Sequence, residues 1–190
     1  MRFWPGWPEA REIIRSGEMG RVRGARFRRV GGVPDWNPSF YLDDARSGGV
    51  LFDLHVHDAD FLLWCFGEPL GVRLDGEHRH FTASYDYGDF AVQAEAGWLA
   101  GDGVAFEMTY RIELDGGVLD FAFDRAEPLL LTTGGVTRAV PLDGRSAYEI
   151  QAGHFLDVAL RGAAPRVTLA DAEKVIALLN SYGPPFGRSD

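Results

Sequence analysis

Residues 48–67 constrain the fold of this chain more than any other segment. The stretch is apolar on most sides, begins with the pair Gly48 and Gly49, and ends at Gly67. This pattern predicts a buried helix of about five turns. At about 100° per residue, four side chains fall in one narrow stripe: Asp53, His57, Asp60 and Trp64. Because buried acids and histidines are costly unless they are paired, this stripe is the first candidate for a functional site.

Two interpretations of Asp53 and His57 stay open on spacing alone. A carboxylate one helical turn before an imidazole could orient a general acid/base, or the pair could be a structural hydrogen bond. Asp58 and His55 leave the stripe. His55 points toward apolar residues of its own helix, so we expect a core histidine with one satisfied ring nitrogen.

The composition indicates a soluble globular domain, with 190 residues of which 46% are hydrophobic and 25% charged. A net charge of −9 argues against nucleic acid or a membrane as partner, because both reward clustered lysine and arginine. The arginines do cluster in residues 21–29, where their alternation indicates the solvent face of a strand. A single cysteine, Cys65, excludes a disulfide framework and favours the cytoplasm, and we expect neither a signal peptide nor a membrane span.

The rest of the chain predicts one α+β domain over residues 1–190. A helix over 8–16 and a strand over 20–31 precede a long loop over 32–47, a length that often marks function. Glycine-rich turns then separate seven strands of a predicted antiparallel meander with helices on one face: 70–74, 79–85, 90–99, 104–113, 118–124, 129–133 and 136–140. Helices over 146–161 and 169–182 follow, the second with Thr168 as N-cap, and 183–190 should form a loose tail.

Two apolar surfaces follow from these elements. The helix over 146–161 should turn a set of side chains toward the core: Tyr148, Ile150, Phe155, Val158 and Leu160. The strands carry aromatic residues that too few helices can cover on both faces of the sheet: Trp98, Phe106, Tyr110, Phe121 and Phe123. Since a large exposed apolar face usually finds a partner, we expect a homodimer or tetramer formed through the open sheet face.

Other chemistries have little support in the sequence. It contains no glycine-rich dinucleotide fingerprint, P-loop, nucleophile elbow or Cys-x-x-Cys. On a helix His55 and His57 lie about 200° apart and cannot share a metal ion. His78 and His80 would share a strand face but lack a third ligand at the needed spacing, so we predict no metal site. A metal-dependent lyase or hydrolase is the weakest hypothesis.

The central motif resembles that of a known family. The run Gly48-Gly49-x-x-x-Asp53-x-x-x-His57-Asp58-x-Asp60-x-x-x-Trp64-x-x-Gly67-Glu68-Pro69 is similar to the signature of the glucose–fructose oxidoreductase/inositol dehydrogenase/MocA (Gfo/Idh/MocA) family. Residues 1–17 resemble the segment that leads into the second domain of that family. The late segments Phe155-x-Asp157 and Val167-Thr168-Leu169-x-Asp171-Ala172 resemble its closing pattern. The resemblance therefore covers nearly the whole chain.

This resemblance implies an NAD(P)-dependent oxidoreductase of sugars, cyclitols or related polyols. In the family a Rossmann domain precedes an α+β domain, and the open, mainly antiparallel sheet of the latter commonly forms the subunit interface. By resemblance, His57 transfers a proton at the substrate hydroxyl and Asp53 orients it and stabilises its charge. Asp60 and three residues of the long loop are candidate substrate contacts: Trp36, Tyr41 and Arg46.

Two departures from the family pattern limit these expectations. The sequence holds neither the glycine-rich loop nor the lysine of the Rossmann domain, so the chain by itself should bind neither NAD nor NADP and should be inactive. It could be a fragment, a truncated gene product or a partner for a separate subunit. His55 stands where the family usually has glycine, and we expect it to be tolerated. The alternative hypothesis is a non-enzymatic binding or scaffold module that retained the fold.

Overall fold

The computed structural model describes residues 1–101 and 103–182, so the predicted tail over 183–190 lies outside the described residues. Within these residues there are eight strands: β1 (Val22–Gly32), β2 (Gly71–Glu77), β3 (His80–Asp86), β4 (Ala91–Leu99), β5 (Glu107–Leu114), β6 (Gly117–Ala122), β7 (Leu129–Thr133) and β8 (Val136–Ala139). The helices are α1 (Trp7–Ser16), α2 (Pro38–Tyr41), α3 (Asp44–Ser47), α4 (Val56–Phe66), α5 (Ala147–Arg161) and α6 (Leu169–Asn180), with a π-helical turn (Leu51–His55) before α4. No helix in the described part of the chain is long and apolar enough to cross a bilayer.

The strands form one open sheet in the order β2-β3-β4-β1-β5-β6-β7-β8. Strand β1 runs parallel to β4 and antiparallel to β5, and the other neighbouring strands are antiparallel. The predicted α+β class with an open, mainly antiparallel sheet is therefore confirmed. The prediction of an uninterrupted meander is wrong at one point, because β1 inserts between β4 and β5. Turn signals describe neighbours along the chain and carry no information about an inserted strand.

Local signals account for the ends of several helices. Helix α1 ends at Gly17, whose φ of 72° suits glycine. Helices α5 and α6 both begin with a capping box, formed by Ser146 with Glu149 and by Thr168 with Asp171. The predicted N-cap at Thr168 is confirmed.

The core lies between the inner face of the sheet and helices α1, α4 and α6. Trp7 of α1 is fully buried at its centre, with ring centroids 4.8 Å from Phe61 of α4 and 5.0 Å from Tyr110 of β5. The Tyr110 hydroxyl donates a hydrogen bond of 2.5 Å to the carbonyl oxygen of Gly6. These contacts fix α1 on the sheet and place the first residues of the chain beside α4.

The aromatic residues expected on the open sheet face lie on the helix side instead. Tyr110 and Phe121 are buried in the core. Phe106 lines a cleft beside α4, Phe123 packs against Trp4, and Trp98 packs against Tyr41: these three also point toward the helices. Because successive side chains of a strand point to opposite faces, an error of one residue in the assumed alternation moves the whole set to the other face.

The outer face of the sheet is polar. His80 Nε2 lies 2.8 Å from Glu95 Oε1, Glu95 pairs with Arg28, and Arg28 Nε donates to Glu107 at 2.9 Å. This network crosses strands β3, β4, β1 and β5. The prediction that an apolar sheet face drives self-association is therefore wrong, and the oligomer itself stays a prediction.

Helix α5 also differs from its prediction. Its apolar side chains are exposed rather than buried, with exposed fractions of 74% for Tyr148, 68% for Phe155 and 78% for Leu160. The other two predicted core residues, Ile150 and Val158, are only partly buried. Periodicity shows that a helix has an apolar face but does not show what covers it.

Candidate active site

The organising helix, which is the one predicted over residues 48–67, has a wide π-helical turn near its start. The turn covers Leu51–His55, and α4 continues to Phe66, close to the predicted end. Gly48 and Gly49 precede it with φ angles of 79° and 63°. A Cβ atom on Gly48 would lie 2.6 Å from Cβ of Phe52, so both the backbone and the contact require glycine. Turns of this type are frequent at functional sites.

His57 lies in the wall of a cleft of about 370 Å³ between α4, α5 and the first residues of the chain. The cleft is lined mainly by apolar and aromatic side chains, with few polar ones: Met1, Phe3, Trp4, Arg29, Leu54, His57, Phe106, Met108, Ala147, Tyr148 and Gln151. The ring is exposed toward the cleft. The surrounding protein lowers the pKa of His57 to about 4 by desolvation, and the charge of Arg29 adds to this effect. At pH 7 the imidazole is therefore neutral and can accept a proton.

Asp53 faces a different neighbourhood from His57. It is half-buried, and desolvation raises its pKa. Its charge also acts on Tyr41, whose pKa is raised first by desolvation and second by Asp53. Within residues 1–101 and 103–182, the side chains of Asp53 and His57 make no hydrogen bond, so the orienting role of Asp53 stays a prediction. The predicted alignment of Asp53 with His57 assumed the α-helical rotation per residue. Because Asp53 belongs to the π-helical turn, that rotation does not apply there.

The loop residues predicted to bind substrate form a small aromatic cluster. Trp36 is 73% exposed, and its ring centroid lies 5.0 Å from that of Tyr41. Tyr41 in turn lies 5.7 Å from Trp98. The guanidinium of Arg46 lies 5.5 Å from the ring centre of Phe40. The loop thus brings Trp36 and Tyr41 together near Asp53, while Arg46 packs at the border of this cluster.

Asp60 and Trp64 face the first residues of the chain. Arg2 Nη2 donates to Asp60 Oδ1 at 2.8 Å, and the Arg2 guanidinium lies 5.4 Å from the centre of the Trp64 ring. Arg2 also pairs with Asp171 of α6 at 3.2 Å. These contacts give Asp60 a structural function, and its contact with substrate stays a prediction.

His55 is a core histidine, as predicted. Its exposed fraction is 0%, its Nε2 lies 2.6 Å from the Tyr85 hydroxyl, and that hydroxyl lies 2.6 Å from the hydroxyl of Tyr182. Nδ1 is buried without a partner. Since a buried N–H without an acceptor is rarer than a bare acceptor, we assign the proton to Nε2, which then donates to Tyr85. Burial lowers the pKa of His55 to about 4.

Sequence reasoning missed a buried ion pair beside the cleft. Arg29 of β1 donates to both carboxylate oxygens of Asp58 on α4, from Nε at 3.1 Å and from Nη2 at 2.8 Å. The exposed fractions are 4% for Arg29 and 1% for Asp58. The sequence pattern predicts a solvent face for the arginine cluster, but Arg29 lies on the buried face of the strand with Ala25 and Phe27. Because every second side chain of a strand points to the same face, Arg29 lies inside together with Phe27.

Metal ligands do not converge in the part of the chain that the structure describes. No group of three His, Cys, Asp or Glu side chains there could hold an ion. His80 lies on the outer sheet face beside Glu95, far from the cleft in the fold.

Comparisons with known proteins agree with this architecture. The profile of the GFO/IDH/MocA C-terminal domain matches residues 7–116. No curated protein sequence matches the chain. Among solved structures, the aldose-aldose oxidoreductase from Caulobacter crescentus complexed with glycerol has a TM-score of 0.78 and 17% identity, covering 95% of this chain and 58% of that chain.

Two further solved structures have the same fold. UDP-N-acetylglucosamine 3-dehydrogenase from Acidithiobacillus ferrooxidans has a TM-score of 0.71 and 20% identity, covering 90% of this chain and 55% of its own. Levoglucosan dehydrogenase in complex with NADH and levoglucosan has a TM-score of 0.75 and 18% identity, with coverages of 91% and 58%. The chain thus spans a little over half the length of these proteins. The family resemblance stated above is confirmed.

Proposed function

Because the chain belongs to the GFO/IDH/MocA C-terminal domain family, we propose that it is the substrate-binding domain of an NAD(P)-dependent oxidoreductase. Its substrate would be a sugar, a cyclitol or a related polyol, oxidised at a CH–OH group. The observation that carries this proposal is the neutral His57 in the wall of an aromatic cleft of about 370 Å³. Apolar walls with a few convergent polar groups are typical of sites for small ligands.

His57 would serve as the proton acceptor of the reaction. When a CH–OH group becomes a carbonyl, the carbon loses a hydride and the oxygen loses a proton. The hydride would pass to the nicotinamide of a nucleotide-binding domain, and the proton to the neutral His57 imidazole. Asp53, whose carboxylate has no partner among the described residues, would stabilise the resulting imidazolium or accept a hydrogen bond from a second substrate hydroxyl.

The nucleotide would be bound by a domain that this chain does not supply. Two features support this division: the relatives are longer than this chain, and the sequence has no glycine-rich fingerprint. Helix α5 leaves apolar side chains exposed that offer a docking surface for such a domain, and the first of them lines the cleft: Tyr148, Phe155 and Leu160. Calorimetric titration of the chain with NAD(H) and NADP(H) should give no tight binding, and tight binding of either nucleotide would contradict the division.

The assignment of His57 is tested in the enzyme joined to its nucleotide-binding domain. We expect His57→Ala to lower turnover by roughly two to four orders of magnitude, the usual effect of losing a general acid/base. His80→Ala, on the outer sheet face, is the matched control and should leave turnover unchanged. Unchanged turnover in His57→Ala would return Asp53 and His57 to a structural function.

Self-association is part of the proposal. Within residues 1–101 and 103–182 no helix packs on the outer sheet face, which carries the polar network of Arg28, Glu95 and Glu107. Its complement in a second copy would be built from polar and charged contacts, which weaken with salt.

A further inference from the structure

We infer that Arg29, whose charge is compensated by Asp58, gives the His57 cleft a floor without net charge and selects a substrate with a neutral oxygen at this point over one with a carboxylate. The inference rests on the proposed function, because it concerns the substrate class of the same cleft. It assigns substrate discrimination to two buried residues that sequence analysis did not single out.

Arg29 has hydrogen-bonding capacity that the protein does not use. Its Nε and Nη2 atoms donate to Asp58, whereas Nη1 lies 2.9 Å from the sulfur of Met108, a weak acceptor. No other acceptor in the described residues binds Nη1. Arg29 and Met108 both line the cleft. A ligand oxygen would therefore be a better acceptor for Nη1 of Arg29 than the Met108 sulfur, whether it binds in addition to the sulfur or in its place.

The charge balance of the floor decides which oxygen is favoured. Asp58 compensates the charge of Arg29, and both side chains are almost completely buried. A second carboxylate would leave an uncompensated negative charge where little water can hydrate it. A hydroxyl, ether or carbonyl oxygen accepts the same hydrogen bond without that cost.

Of the described side chains that line the cleft, only Arg29 carries a fixed positive charge, and Arg166 is outside the lining, with its guanidinium 4.8 Å from the centre of the Phe3 ring. His57 is neutral at pH 7, since its pKa is about 4. Asp60, one turn further along α4, is compensated by Arg2.

The walls of the cleft suit an uncharged ring. Phe3, Trp4, Phe106 and Tyr148 offer faces for the C–H groups of a polyhydroxylated ring, and Gln151 offers a donor and an acceptor for its hydroxyls. The substrate class is accordingly a neutral sugar or cyclitol, together with its ketone product, rather than a sugar acid.

The test compares two probes that differ only at C6, methyl β-glucoside and methyl β-glucuronide. Each is titrated into the chain at pH 7.5 and low salt, and binding is followed by the NMR signals of the His57 ring, assigned from their loss in His57→Gln. We expect the glucoside to bind at least about tenfold more tightly. In Asp58→Asn, the floor gains a net positive charge, and this preference should vanish or reverse.

The matched control is Glu107→Gln. This variant also removes one carboxylate charge beside an arginine. Here the arginine is Arg28, which precedes Arg29 by one residue and lies on the outer face of the sheet. Its preference for the glucoside should equal that of the wild type. Because Asp58→Asn leaves a buried unpaired arginine, the double variant Arg29→Gln/Asp58→Asn provides a neutral floor without that strain. It should retain the preference but bind the glucoside about tenfold more weakly, since the arginine donor is lost.

The outcomes separate this inference from the proposed function. Equal binding of both probes by the wild type, an unchanged preference in Asp58→Asn, or unchanged affinity in the double variant would refute the inference alone. If neither probe shifts the His57 signals of the wild type, the sugar-binding proposal fails and the inference fails with it.

Discussion

Lowering the pH from 7 to 5 should destabilise this protein through His55. The ring is fully buried, Nδ1 has no partner, and burial lowers the pKa to about 4 from the ordinary value of 6.5. In the unfolded chain His55 takes up its proton near pH 6.5, so between pH 6.5 and 4 the unfolded state binds more protons than the folded state. The free energy of unfolding is therefore highest above pH 6.5 and falls as the pH drops toward 4.

Linkage between these two pKa values gives a loss of about 2 kcal/mol in the free energy of unfolding between pH 7 and pH 5. Urea denaturation followed by tryptophan fluorescence at both pH values measures this loss in the wild type and in His55→Gln. Glutamine retains a donor for Tyr85 and does not titrate, so the loss in the variant should be smaller by about 2 kcal/mol. His57 titrates in both proteins, and its contribution cancels in the difference. An identical pH dependence in both proteins would refute an uncharged, buried His55.

Two further predictions concern the core and the outer sheet face. Trp7→Ala should lower the free energy of unfolding by about 3–5 kcal/mol, because it empties the centre of the core, whereas Trp36→Ala at a 73% exposed position should change it by less than about 0.5 kcal/mol. Urea denaturation measures both, and equal losses would contradict the placement of Trp7. In analytical ultracentrifugation the chain should form dimers or larger assemblies that weaken in high salt, and Arg28→Glu should disrupt them. A monomer at every protein concentration would count against self-association through this face.

Much of the local structure could be predicted because it depends on residues that are close along the chain. Thr168 caps α6 through Asp171, three residues away, and Gly48 begins the organising helix because a side chain there would meet Phe52. The burial of His55 followed from the apolar residues of its own helix. The motif of Asp53 and His57 also marked the helix that lines the cleft.

The parts that could not be predicted depend on residues that meet only in the folded state. Arg29 and Asp58 are 29 positions apart and become partners because β1 inserts at the sheet centre, beneath α4. Tyr110 and Phe121 pack against the helices, whereas α5 leaves Phe155 exposed. The sequence patterns of the strands and of α5 showed only that each has an apolar face, not whether another element covers it.

The amino-acid sequence by itself determined the strands, the longer helices, their polar and apolar faces, and the helix that carries His57, but not the short helices α2 and α3 within the predicted loop over 32–47. Tertiary structure alone decided which face of the sheet is covered, which ion pair lies beside the cleft, and that Asp53 belongs to a π-helical turn near Tyr41. The physical reason is that periodicity is a property of a single element, whereas burial and charge pairing depend on the free energy of packing several elements together.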